Sequence, residues 1–164
     1  MEAIFTPTIL VVDDEKNIRD ALYKILSKEG YKIITAEDSN TALEILRSNQ
    51  IDLILSDLKM PQIDGVEFLK IVKYNFPESE FILITAYGSV EEAVKAMKHG
   101  AFDFILKPLK KAAIIGIVKN ALEKQFVIRE SKDLQKRIKD QVIGESLAFR
   151  QVMEMVKRVA PSSA

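Results

Sequence analysis

Four short stretches of this chain carry residues that could do chemistry together: Asp13-Asp14, Asp57, Thr85 and Lys107. Three carboxylates crowded into one place repel one another and raise one another's pKa values unless a cation compensates. An oxygen-rich acidic cluster of that kind suits Mg²⁺, which takes a few carboxylates, keeps waters and waits for a phosphate. Lys107 would add a positive charge and Thr85 a hydroxyl donor. Such a set can stabilise a phosphoryl group in transit, where positioning and charge neutralisation do most of the work. Asp57 would then be a carboxylate nucleophile that forms an acyl phosphate. Taken singly, each member has an ordinary alternative. Asp13 or Asp14 could N-cap a helix, and Asp57 could be a turn residue. Thr85 could be a sheet threonine bonded to backbone, and Lys107 a solvated lysine before Pro108. His99 falls near a helix end, where a solvated or dipole-facing histidine is ordinary, and it receives no chemistry.

Bringing these residues together requires elements that end where the residues stand. Residues 8 to 12, TILVV, form an apolar run without alternation, the pattern of a strand buried on both faces. Asp13-Asp14 follow it. Ile18, Ala21, Leu22, Ile25 and Leu26 then recur at helical spacing, and Gly30 stands where a helix C′ residue belongs. Residues 32 to 36 read as a second strand, and Ala42, Leu43, Ile45 and Leu46 mark a second helix. A third strand at residues 51 to 55 delivers Asp57 to the loop beyond it. A third helix follows Gly65 and closes near residues 75 to 77. Residues 81 to 85 (FILIT) are a fourth strand. Ser89 opens a capping box with Glu92 at the start of a fourth helix, which ends at Gly100. Residues 102 to 106 are a fifth strand, cut by Lys107-Pro108, and the chain is helical from Lys110 onward. Five β-α alternations joined by short connections imply a parallel sheet covered by helices on both faces, in the flavodoxin-like strand order 2-1-3-4-5. If strands 1, 3, 4 and 5 are neighbours, all five side chains converge at the carboxyl edge.

Composition narrows the function classes. Apolar residues at 48% and charged residues at 29% are globular values. A formal net charge of zero points to neither nucleic acid nor an anionic membrane. The absence of cysteine excludes disulfides, thiolate metal sites and cysteine nucleophiles. The N-terminus has no basic region followed by an apolar core, and no apolar run approaches the roughly 20 residues of a membrane span. The expectation is a soluble, cytoplasmic protein.

The motifs ILVVDDE, LILSDLKMPQIDG, LITAYGS and DFILKP, in that order and spacing, resemble the receiver (response regulator) domain of bacterial two-component signalling. The resemblance covers residues 8 to about 125. It implies that Asp57 takes a phosphoryl group from a histidine kinase, and that Asp13, Asp14 and Asp57, with the Lys59 backbone carbonyl, hold Mg²⁺. It further implies that Thr85 and Lys107 contact the phosphoryl oxygens and that Phe104 is the switch aromatic. An aspartate-nucleophile phosphatase would need a second Asp two residues after the nucleophile, where Lys59 stands. A flavin or dinucleotide carrier would need a glycine-rich loop after the first strand, which is missing.

Residues 1–125 are accordingly expected to be the receiver, 126–141 a helical linker, and 142–164 the start of a truncated AAA+ ATPase module. The last of these rests on VIGESLAFRQVMEMVKRVAPSSA, which resembles the opening of that module in nitrogen-regulatory, sigma-54-dependent transcription activators. Ser146 can cap a helix there whose apolar face, Ala148, Val152, Met155, Val156 and Val159, has nothing left to cover it, which suggests a piece of a longer protein. No G-x-x-x-x-G-K-[ST] is present, so neither ATP hydrolysis nor DNA binding is expected of this stretch, whereas the full-length protein is expected to bind DNA and sigma-54 RNA polymerase. The charge-rich run from 119 to 141, with Val127, Ile128, Leu134 and Ile138, reads equally as a solvated linker or as a short coiled coil joining a homodimer. Receivers of other output classes, or stand-alone receivers, are the alternative.

Overall fold

The computed structural model describes residues 4–86, 90–144 and 154–155 of the chain. Five strands, β1 (Thr8–Val12), β2 (Lys32–Ala36), β3 (Leu53–Asp57), β4 (Glu80–Thr85) and β5 (Asp103–Leu106), alternate with five helices. The helices are α1 (Lys16–Lys28), α2 (Ser39–Ser48), α3 (Gly65–Asn75), α4 (Val90–Lys98) and α5 (Lys111–Gly144). All strand pairs are parallel, and their order is β2-β1-β3-β4-β5. This is the flavodoxin-like arrangement. Strand order reverses at β1, so a crevice opens at the carboxyl ends of β1 and β3.

The missing alternation in the strand sequences has a direct cause. Ile9, Val11, Leu53, Leu55, Ile82 and Ile84 pack with Leu22 and Leu26 of α1 and Ile114, Val118 and Ala121 of α5. Their strand neighbours Leu10, Val12, Ile54, Phe81 and Leu83 pack on the other face with Ala42 and Leu46 of α2, Phe68, Leu69 and Val72 of α3, and Ala96 of α4. Both faces of β1, β3 and β4 are therefore core, and the positions between their ends, Ser56 apart, take apolar side chains on either face. The edge strands β2 and β5 are shorter or half open, with Lys32, Thr35 and Leu106 exposed.

The chain divides into two compact units, Met1–Phe126 and Val127–Ala164. In the second, Val127, Ile128, Leu134, Ile138 and Val142 are exposed apolar residues of α5. The helix predicted from Ser146 lies outside the described residues except for Glu154 and Met155, which are helical and exposed.

Two local expectations change, and one alternative falls away. The third strand begins at Leu53 rather than 51, so Asp57 is its last residue instead of a loop residue. The cause is Asp52, whose amide donates to the Thr8 carbonyl (2.9 Å) while its Oδ2 accepts from the Thr8 amide (2.7 Å). That side-chain bridge stands where the β1–β3 ladder would otherwise start. The fifth strand begins at Asp103, one residue late, although the Phe102 amide already donates to the Phe81 carbonyl (2.7 Å). Neither Asp13 nor Asp14 N-caps α1: Glu15 holds that position without a side-chain bond. The caps on Asp38 and Asp64, which accept from the Thr41 and Glu67 amides, were not predicted. The capping box at Ser89 lies outside the described residues, although Gly100, at φ +97°, follows α4 as predicted.

Candidate functional site

Strand register brings the predicted residues to one edge. Val12 pairs with Ser56, Asp57 with Ile84, and Thr85 with Leu106, so Asp13, Asp57, Thr85 and Lys107 stand at or one step past adjoining strand ends. One carboxylate oxygen each from Asp13, Asp14 and Asp57 lies within 4.8 Å of the others. Lys107 Nζ is 3.5 Å from Asp57 Oδ1 and 3.6 Å from Asp13 Oδ2. Its backbone amide donates to the Thr85 carbonyl (2.8 Å), which ties the β5 end to the β4 end, and the following Lys107–Pro108 bond is cis. Asp13, Asp57 and Thr85 are buried, whereas Asp14 is exposed.

Burial sets the electrostatics. It pushes the Asp13 carboxyl up to about 6, against the Glu15 amide that pulls it down; Asp57 and Asp14 add to the rise and Lys107 opposes it. Burial likewise raises Asp57, with Lys107 and the Leu58 amide pulling the other way. Lys107 is raised in turn: burial works against its charge, but Asp13 and Asp57 outweigh it. Three acids thus face one ammonium, and the remaining negative charge asks for a cation.

Asp13 is hydrogen-bonded at every polar atom but one. Its amide donates to Ala36 O (3.2 Å), its Oδ1 accepts from the Glu15 amide (2.8 Å), and its carbonyl accepts from Arg19 Nη1 (2.7 Å). Oδ2 is buried with no hydrogen-bond partner. A buried carboxylate oxygen left unsatisfied beside two further carboxylates fits a hard divalent cation such as Mg²⁺, which such oxygens ligate. Lys59, whose carbonyl was assigned to the same ion, lies two residues past Asp57 with its side chain exposed.

Sequence reasoning missed two contributors. Arg19 sits six residues past Asp13, and only the folded turn brings it to the Asp13 carbonyl. Gly65, read simply as a loop residue, donates its amide to Leu58 O (2.7 Å). A Cβ there would lie 2.5 Å from the Asp57 carbonyl oxygen and 2.7 Å from Leu58 Cα. No side chain fits between α3 and the Asp57 backbone, which is why a glycine starts that helix.

Phe104 is half-buried, packs against the α2/α3/α4 face of the core and opens on an apolar cavity of about 680 Å³. Val90, Ala93, Val94 and Met97 of α4 and Leu106 of β5 form its remaining apolar wall.

Residues 9–119 match the family model described as the response regulator receiver domain. The chain is 36% identical over 159 residues to the nitrogen assimilation regulatory protein NtrX of Azorhizobium caulinodans, spanning 95% of this chain and 35% of that protein. It thus covers about a third of the length of the curated relatives it matches. Among solved structures, NtrX from Brucella abortus in complex with ADP superposes with a TM-score of 0.74 at 39% identity, over 96% of this chain and 36% of that one. The solution structure of the beryllofluoride-activated NtrC4 receiver domain dimer gives 0.69 at 40% identity, over 72% of this chain and 98% of that one.

Proposed function

Because the chain belongs to the response regulator receiver family, a regulatory phosphoacceptor domain, we propose that Asp57 is its phosphoacceptor and that a sensor histidine kinase is the donor. The observation that carries the assignment is the position of Asp57: last residue of β3, buried, in the acid cluster and 3.5 Å from the Lys107 ammonium. A carboxylate oxygen of Asp57 attacks phosphorus as the N–P bond to the kinase histidine breaks, and the imidazole keeps the electron pair and takes a proton. Lys107 offsets charge on the phosphoryl oxygens throughout. Asp13, Asp14 and Asp57, with the Lys59 carbonyl, would hold Mg²⁺, which supplies charge neutralisation to that transfer.

The output follows from the added charge, roughly −1.5 to −2 at neutral pH. Thr85 is at the end of β4 beside Leu106, placed to be drawn toward the phosphoryl oxygens. Its movement frees space for Phe104, whose repacking alters the α4–β5 cavity wall. Thr85 and Phe104 are thus the switch pair.

Domain assignments follow the same reading: residues 1–125 the receiver, 126–141 a linker, and 142–164 the start of an AAA+ module in a cytoplasmic, sigma-54-dependent transcription activator. Relatives named NtrX and NtrC support that context. Among the described residues no helix is long and apolar enough to cross a membrane. The exposed Val127, Ile128, Leu134 and Ile138 of α5, and a related receiver solved as a dimer, support a homodimer as the means of transmission.

Incubation with acetyl phosphate and Mg²⁺, read by intact mass, tests the acceptor. The wild type should gain one phosphoryl group and Asp57→Asn none; uptake by that variant at the wild-type rate overturns the assignment. Sedimentation with and without phosphorylation tests the dimer, and an unchanged mass and shape removes the proposed output.

A further inference from the structure

The three helices with described N-termini and assigned caps are not started in the same way. Asp38 caps α2 through the Thr41 amide and Asp64 caps α3 through the Glu67 amide. At α1 the cap residue, Glu15, makes no side-chain bond, although two aspartates precede it. Asp13 and Asp14 instead keep their carboxylates in the acid cluster. The turn at the start of α1 must then be held by something else. Asp13 Oδ1 takes the Glu15 amide from one side. From the other, the half-buried Arg19 reaches back along the helix and donates Nη1 to the Asp13 carbonyl at 2.7 Å, a charge-assisted bond.

From this we infer that Arg19 is a positioning residue of the phosphoacceptor site: by fixing the Asp13 backbone it aims the one unsatisfied Asp13 oxygen at the divalent cation. The inference rests on the Mg²⁺-dependent reading given above and deepens it. Arg19 acts through geometry. The charges that act on the Asp13 carboxyl are those of Asp57, Lys107 and Asp14, while the guanidinium is spent on the carbonyl. Three of the four polar atoms of Asp13 are hydrogen-bonded within the protein, and Arg19 supplies the only side-chain donor among those bonds; Oδ2 has only the longer ion pair with Lys107. Without it the turn from 13 to 15 keeps its amide bonds but loses the restraint on carbonyl direction, so the carboxylate samples more orientations and the cation loses a preorganised ligand.

The test measures Mg²⁺ affinity by calorimetry and acetyl-phosphate uptake as a function of Mg²⁺ concentration, for wild type, Arg19→Ala, Arg19→Gln and Arg19→Lys. Arg19→Ala should bind Mg²⁺ about 10- to 100-fold more weakly. Its uptake rate at saturating Mg²⁺ should stay near the wild-type value. Arg19→Lys, which keeps a charged donor of similar reach, should recover part of the affinity, and carries the test with Arg19→Gln should the alanine variant fail to fold. An affinity unchanged in Arg19→Ala, or a rate loss that neither saturating Mg²⁺ nor Arg19→Lys repairs, overturns the inference while leaving Asp57 as acceptor intact. Wild-type protein that takes up phosphate without binding Mg²⁺ overturns the metal reading and this inference with it.

Discussion

At its amino edge the sheet buries Asp52, Ser79 and Glu80, and at its carboxyl edge it buries Asp13, Asp57 and Thr85. Both edges also hold a half-buried lysine: Lys73 at one and Lys107 at the other. At the amino edge the charges close on themselves. Glu80 lies 3.9 Å from Lys73 of α3 and 3.6 Å from Lys124 of α5, and Lys73 also donates to the Ser79 carbonyl (3.0 Å). Burial lowers the Lys73 ammonium while Glu80 supports its charge, and Lys124 stands over the Phe102 ring. Asp52 and Ser79 bond to backbone at Thr8 and Ile51. At the carboxyl edge Asp13 and Asp57 share Lys107, and Asp14 adds a third carboxylate to the cluster. Carboxylate oxygens without hydrogen-bond partners occur at both edges, so they do not separate the two. Charge balance does. One sign is left over at the carboxyl edge, whereas the amino edge uses the same kinds of side chain to join β4 to α3 and α5.

The largest effect that would break this contrast is chemical. Asp57→Asn should lose all acid-labile phosphate, whereas Glu80→Gln should take it up at the wild-type rate. A joint loss, read by intact mass, would make the amino edge part of the site. Next in size is Gly65→Ala, whose Cβ would meet the Asp57 carbonyl oxygen at 2.5 Å and Leu83 Cδ1 at 3.0 Å. Urea unfolding should show about 3 kcal/mol lost, with the uptake rate falling as well. Gly30→Ala, with open space around it but φ +90°, should cost only about 1 kcal/mol and leave uptake alone.

A pH comparison sharpens the electrostatic side. The Asp13 carboxyl is raised from an ordinary 3.8 to about 6 in the folded protein. Between those values the folded state holds the proton more than the unfolded state does. The group's contribution therefore lowers stability as pH climbs through this window, by at most ~3 kcal/mol. In metal-free protein the wild type should gain less stability than Asp13→Asn on going from pH 4.5 to 7, as read from urea midpoints. Mg²⁺ at pH 7 should restore part of the difference. Parallel curves for the two proteins would mean that Asp13 is not strained by its surroundings. A further modest effect lies at the opposite edge. Because Lys124 is mostly open to solvent, Glu80→Gln should cost about 1–2 kcal/mol at neutral pH rather than the larger penalty of a closed pair.

Much of this was legible in the residues themselves. Continuous apolar runs announced strands buried on both faces, and the acids, threonine and lysine at their ends announced which edge gathers them. The resemblance supplied Phe104 and the Lys59 carbonyl, which no period or spacing would have singled out. What stayed hidden depends on atoms meeting across elements. Asp52 cuts β3 short because it meets Thr8, Glu80 finds its lysines on α3 and α5, and Arg19 reaches a carbonyl whose direction exists only after the turn forms. Gly65 was visible as a residue, but its reason, the passage of the Asp57 backbone within 2.5 Å of the space a Cβ would fill, was not.

The burial of β1, β3 and β4 on both faces carries a consequence for handling the protein. Stretches such as LILS and FILIT combine high strand propensity with no charge, and they are harmless only while helices cover them. The strands left at the margins are of another kind: β2 opens on Lys32 and β5 is four residues long beginning with Asp103, features that discourage a second sheet from docking. Loss of the helical cover, rather than fraying of the edges, is therefore the event that would turn this molecule into an aggregate, so ligands that hold the folded state should protect its solubility as well as its activity.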